Sequence, residues 1–327
     1  MELYTQVELP DIPFLFSHKE EVMMFGSCFV ENIGFQLKEL KINTDINPFG
    51  TLYNPASISG AIRRLLQPVA YTEADLFQQG GVFNSFDHHS RFSATTAEES
   101  LGLINTRLQA SARHIKKAER MIVTFGSSYV YKLKETGRIV ANCHKQPEKI
   151  FNRELLPVRT MADDWHELLA QLWKVNNNIR IVFTVSPIRH WKDGAHGNQL
   201  SKAGLLLLAD ELQRTYPDKV AYFPAYEIMM DELRDYRFYA EDMIHPSPLA
   251  INYIRDKFIH HCFTKESQTL MSEWNKLKKA IEHKPFQPGS DSYKQFISQT
   301  LLKMNRFSYK FPYFDITNEK EELIRKL

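Results

Sequence analysis

Between about residues 20 and 262, short apolar runs alternate with stretches in which apolar residues recur every three or four positions. The runs at 22–25, 121–125, 179–185 and 219–223 read as strands, because they are short, largely apolar and closed by glycine, serine or proline, and a further short strand is read at 42–46, ahead of the loop from Asn47 to Thr51. Phe29, Ile33, Leu37 and Leu40 follow the first strand at helical spacing. Asn54-Pro55 caps a second helix whose buried stripe is Ile58, Ile62, Leu65 and Leu66. A third helix is expected near 97–117. Thr160 reads as the cap of a fourth, carrying Trp165, Leu168, Leu169 and Leu172, and Ser201 as the cap of a fifth, running to about Tyr216. Pro248 starts the last helix of this region, with Ile251, Ile254, Phe258 and Ile259 inward. Strands alternating with helices predict an α/β protein with a mostly parallel sheet covered on both faces.

Three stretches depart from this rhythm. Residues 68–94 read as an irregular insertion carrying Gly80-Gly81 and Asp87-His88-His89-Ser90-Arg91. Residues 129–133 and 138–143, joined through Glu135-Thr136-Gly137, read as a β-hairpin on the sheet's edge. Beyond Cys262 the chain turns polar, lysine-rich and helical, with a break at 285–290. The expected organisation is an α/β domain over 1–262 and a C-terminal helical extension over 263–327.

Composition narrows the function classes. Basic and acidic residues number 41 and 39, leaving a net charge of +2, and no basic run is interleaved with aromatics, so no nucleic-acid partner is expected. The longest apolar stretch, 203–209, is far too short to span a bilayer, so no membrane partner is expected either. The N-terminal residues lack the basic and apolar blocks of a signal peptide, and three cysteines do not make a disulfide framework. A cytoplasmic setting is expected, where a thiol at position 28 persists.

The chemistry sits at strand ends, where open α/β sheets bind ligands. Gly26-Ser27-Cys28, the loop from Asn47 to Thr51, Gly126-Ser127-Ser128 and Ser186-Pro187 all follow predicted strands. Gly26 permits a sharp turn, after which Ser27 and Cys28 stand at a positively polarised helix start. Asp242 and His245 lie just ahead of the last helix of the domain. His245 is placed to take a nucleophile's proton and Asp242 to orient it, while Gly50 can bring a backbone N–H to an oxyanion. Ser27 and Cys28 both qualify as nucleophile; the thiol is preferred because a helix N-terminus and an imidazole lower its pKa.

Gly26-Ser27-Cys28-Phe29-Val30 resembles the name-giving motif of the GSCFA family, which usually ends in alanine. Asn47-Pro48-Phe49-Gly50-Thr51, Asp87-His88-His89, Val140-Ala141-Asn142-Cys143-His144-Lys145 and Asp242 to His245 resemble its other signatures, over about residues 20–260. The family is grouped with the SGNH/GDSL hydrolases, which implies a flavodoxin-like three-layer α/β/α sandwich and an esterase-like site. Against that superfamily's Gly-Asp-Ser block, Cys28 takes the nucleophile's place and Ser27 the aspartate's; a one-residue shift restores Ser27 but breaks the register. The second block's glycine matches Gly50. The third block's asparagine is missing from Gly126-Ser127-Ser128-Tyr129, leaving Ser128, or Asn142 from the hairpin, to hold the oxyanion. The last block matches at Asp242 and His245.

Asp87, His88, His89, His144 and Lys145 are expected to shape the substrate site. A zinc site built from them with Cys143 fits no standard spacing, and neither metal nor cofactor is expected. Arg189, His190, Trp191 and His196 suit a specificity loop after the fourth strand. The implied activity is hydrolysis of an acyl ester or thioester, or its variant, O-acyl transfer to a carbohydrate hydroxyl. The partner is then a small-molecule or carbohydrate acyl ester, with oligomeric state left open. The competing reading is a non-catalytic glycan- or acyl-binding protein on a degenerate hydrolase scaffold.

Overall fold

The computed structural model describes residues 5–327. In chain order its elements are β1 (Glu21–Gly26), α1 (Cys28–Glu39), β2 (Asn43–Ile46), α2 (Pro55–Leu66), β3 (Phe77–Gln79), β4 (Val82–Asn84), α3 (Ala97–Ile115) and β5 (Arg120–Phe125). Next come β6 (Tyr129–Leu133), β7 (Ile139–Val140), β8 (Phe151–Leu155), α4 (Val158–Val175), β9 (Arg180–Val185), α5 (Gly194–Thr215) and β10 (Val220–Tyr222). The short α6 (Ala225–Glu227), α7 (Pro248–Cys262), α8 (Lys265–Ile281), α9 (Asp291–Lys310) and α10 (Thr317–Ile324) complete the chain.

The main sheet has the order β2-β1-β5-β9-β10 with every pairing parallel, the flavodoxin-type order. The three central strands β1, β5 and β9 are predominantly apolar because both their faces are covered, whereas the edge strand β2 is polar at Asn43, Thr44 and Asp45. Along β1 the faces alternate. Val22 and Met24 join one core with α1 and α7, while Met23 and Phe25 join the other with α2, α3, α4 and α5. The chain is thus a three-layer α/β/α sandwich. The order reverses between β1 and β5, which opens a crevice beyond their carboxyl ends.

The C-terminal helices extend the first of these cores. Leu270, Trp274, Met304 and Phe307 pack into the layer that holds Leu37 and Phe258. The Trp274 indole N–H donates to the Glu39 carbonyl at 3.0 Å and Lys41 Nζ to the Asp315 carbonyl at 2.6 Å, tying the extension to the end of α1. Among the described residues, no helix is long and apolar enough to cross a membrane.

Three local expectations are corrected. The hairpin does not extend the main sheet: β6 pairs with β7 on one side and β8 on the other, forming a separate three-stranded sheet. Helix α4 begins at Val158 behind Pro157, before Thr160, because proline already supplies a helix-compatible start. Helix α5 begins at Gly194, which places Ser201 mid-helix instead of at a cap. The 68–94 insertion contains the antiparallel pair β3–β4.

Candidate active site

At the exit of β1, Gly26 has φ +143°, and a Cβ there would lie 2.4 Å from the Thr124 carbonyl oxygen, so glycine is required. Its N–H donates to Asn47 Oδ1 at 2.9 Å and its carbonyl accepts from Leu52 N at 3.0 Å. Ser27 is the N-cap of α1. Its fully buried Oγ accepts from Phe29 N at 3.3 Å and donates to Ser186 Oγ at 3.1 Å. Cys28 is the first residue of the helix, half-buried, and lines a cleft of about 690 Å³. Burial pushes its thiol pKa up, and Glu31 one turn on adds to this, while the amides of Cys28 and Phe29 pull the other way. The lowering expected at a helix N-terminus is therefore outweighed by desolvation.

His245 lines the same cleft. Asp242 Oδ1 accepts the N–H groups of Ile244 and His245 at 3.0 and 2.9 Å, and its Oδ2 meets His245 Nδ1 at 2.6 Å. Met243 sits at φ +59°, which makes this turn tight enough for one carboxylate to reach all three nitrogens. Those amides first, and the imidazole after them, hold the Asp242 carboxyl down at about 2. A bridge between Tyr239 and Pro246 anchors the turn, with Ala240 N donating to the His245 carbonyl at 2.7 Å. With Nδ1 engaged, Nε2 is the nitrogen left for a substrate proton.

The cleft also gathers Asn142, His89 and Lys145 among the residues named from sequence. Arg189, His190 and Cys143 line it too, whereas Gly50, Ser128, Asp87, His88 and His144 lie elsewhere. Gly50, at φ +85°, donates its N–H to the Asn47 carbonyl at 2.8 Å, and a Cβ there would sit 2.1 Å from His89 Cβ. Its lack of a side chain thus admits His89. Ser128 is buried, its N–H donating to Ser201 Oγ at 2.8 Å and its Oγ to the Ser201 carbonyl at 2.9 Å. Asp87 accepts from Tyr71 and Arg138 in a neighbouring cavity of about 730 Å³. His88 is buried against Phe49, 4.8 Å between ring centres, with Nδ1 on Ser85 Oγ; desolvation holds its pKa down at about 4. His144 bonds the carbonyls of Ser85 and His88, and burial lowers its pKa too. Of the adjacent histidines, one faces the cleft and one the core. Among the described residues, no three His, Cys, Asp or Glu side chains are grouped to hold a metal.

Sequence reasoning missed several contributors. Asn54 Oδ1 caps α2 by accepting Ser57 N at 2.8 Å, which leaves its amide NH2 as a donor at the cleft wall. Lys202 is fully buried, with Nζ 2.7 Å from the carbonyls of both Gly126 and Ser186. Burial first, then the charge of Arg189, lowers its pKa to about 7. The Ser201-Lys202 pair therefore clamps two of the strand-end loops from beneath. A lysine in phase with Leu205, Leu208 and Leu212 was the available signal. His190, already named from sequence in a specificity loop, lines the cleft, and burial followed by Lys202 holds its pKa at about 4.

Residues 21–258 match the GSCFA family, and residues 274–327 match the GSCFA domain protein C-terminal domain. The chain belongs to the GSCFA family. No curated protein matches it. Among solved structures, one described as a candidate platelet activating factor from Streptococcus pneumonia is similar at 11% identity and TM-score 0.38, covering 75% of this chain and 84% of that one. An acetyl xylan esterase from the rumen bacterium Butyrivibrio proteoclasticus is similar at 10% identity and TM-score 0.36, covering 76% of this chain and 64% of that one.

Proposed function

We propose that this GSCFA protein is an acyl-transfer enzyme, hydrolysing an acyl ester or thioester through Cys28, His245 and Asp242. One observation carries the reading: Cys28 and His245 line the same cleft, whereas Ser27 is fully buried and bonded to Ser186. Because burial keeps Cys28 a thiol near neutrality, proton transfer to His245 Nε2 accompanies its attack on the acyl carbonyl. The tetrahedral oxyanion is held by the Cys28 N–H at the start of α1 and by the side-chain amides of Asn54 and Asn142, with Gly50 and Ser128 committed elsewhere. Collapse forms a Cys28 thioester, and His245 returns the proton to the leaving alcohol or thiol. His245 then deprotonates water, which releases the acid, or a sugar hydroxyl, which receives the acyl group as a new ester. Asp242 keeps the imidazole in the tautomer both half-reactions need.

The internal bonds of the Gly50 N–H and Ser128 Oγ support a second reading, a glycan- or acyl-binding protein on a hydrolase-like scaffold. A panel of esters and thioesters assayed on wild type, Ser27→Ala, Cys28→Ala and His245→Ala separates the two. The enzyme reading expects turnover lost in Cys28→Ala and His245→Ala and kept in Ser27→Ala. Binding of acyl chains or glycans with no turnover in wild type supports the second.

A further inference from the structure

The cleft holds more positive charge than its carboxylates neutralise. Arg153 is paired with Asp193 and Lys192 with Glu148. Asp242 commits both oxygens to the His245 turn. Arg189 lines the cleft, part-buried, and its guanidinium donates to Met230 Sδ at 3.1 Å. Among the described residues it meets no carboxylate. Lys145, held at φ +57° in the loop after β7, is exposed and lines the same cleft, and among the described residues it too meets no carboxylate. Behind them Lys202 is fully buried, its Nζ held by two carbonyls and lying 5.5 Å from the centre of the Tyr226 ring, and among the described residues it meets no carboxylate.

A part-buried guanidinium with no paired carboxylate bears its desolvation without an ion-pair partner to offset it. Its fork of donors matches a planar or tetrahedral oxyanion, and a thioether occupies only one of them. The neighbouring histidines His89, His190 and His245 supply no negative charge in any protonation state. An anionic group on the ligand would supply the ion-pair partner that the cleft leaves Arg189 without.

We propose that the cleft takes a substrate bearing an anionic group, such as a carboxylate, phosphate or sulfate, seated on Arg189 with Lys145 facing it from the hairpin, beside the Cys28 thiol. That this substrate is an acyl ester or thioester rests on the function proposed above; the anion subsite does not. An anionic group here places the reactive carbonyl by charge pairing and makes Arg189 a specificity-determining residue.

The test compares alkylation of Cys28 by iodoacetate and by iodoacetamide, resolved from Cys143 by peptide mass mapping and normalised to the same ratio for free cysteine. The expected wild-type ratio is several-fold above that of free cysteine and falls with added salt. Arg189→Gln is expected to lower it by about three-fold or more, Lys145→Gln by less, and Arg189→Lys to retain most of it. Lys145 is exposed, so its variant reports even where Arg189→Gln does not fold. A ratio equal to that of free cysteine, and unmoved in the variants, overturns the anion subsite. A parallel assay sets an ester carrying a carboxylate in its acyl chain against its neutral methyl analogue. No turnover of either, with the charge-dependent ratio intact, defeats acyl transfer and leaves the subsite standing. Equal turnover of both with a flat ratio does the reverse.

Discussion

The exit of β1 and the turn at His245 face each other across one cleft but are held by different means. At Gly26 and Ser27 the backbone and hydroxyl are buried and bonded to partners far along the chain, Asn47, Leu52 and Ser186. Asp242 and His245 each leave 48% of the side chain exposed, and their bonds to one another span three residues. Cys28 therefore inherits its position from the packing of the whole sheet, whereas His245 takes its own from a local turn. A substitution at Gly26 should damage the fold; those at the His245 turn should damage only the chemistry.

The largest effect is expected at Gly26→Ala. The left-handed φ and the 2.4 Å approach to Thr124 leave no room for a methyl group, and a loss of at least about 3 kcal/mol in chemical denaturation is expected. Near wild-type stability would show that the junction is looser than described, and the contrast would weaken.

Lys202→Met comes next. It strands the carbonyls of Gly126 and Ser186, each costing about 1–3 kcal/mol when buried without a donor. The effect depends on pH with a definite sign. Lys202 falls from its ordinary 10.5 to about 7 in the folded protein, so between those values the unfolded chain binds the extra proton. Wild-type stability therefore gains from this group as pH rises through the window, and the full burial penalty applies below about 7. Denaturation curves across the window should show a rise in wild type that is missing in the variant. Parallel curves would mean Lys202 does not titrate there.

On the opposite wall, Asp242→Asn should leave the melting temperature nearly unchanged, because its bonds lie within one exposed turn. Turnover should fall by about 10²–10⁴-fold, as the imidazole loses its orienting carboxylate. A large drop in melting temperature would show that the turn carries structural load, collapsing the distinction between the two sides.

The same contrast explains what could be read from the chain alone. The β1, β5 and β9 runs were legible because burial on both faces demands uninterrupted apolar residues, and Asp242 and His245 because their partnership is local in sequence. Features set by long-range packing were not. The loop after the fourth strand was read as running past His196, which hid the true start of α5 and made Ser201 look like a cap; in the fold Ser201 accepts from Ser128 and its neighbour Lys202 reaches the sheet. Gly50 looked like an oxyanion donor, yet its N–H closes a turn on Asn47 and its missing side chain makes room for His89. The cleft-facing amide of Asn54 was masked by its evident role as a helix cap.

The most direct measurement is the site of acyl attachment. The protein is mixed with an activated thioester, quenched in acid within one turnover, and mapped by mass spectrometry over the peptide that carries both Ser27 and Cys28. The account predicts an acyl adduct on Cys28 that hydroxylamine removes, that persists in Ser27→Ala and that disappears in Cys28→Ala and His245→Ala. An adduct on Ser27, or one on Cys28 that forms equally well without His245, would contradict it.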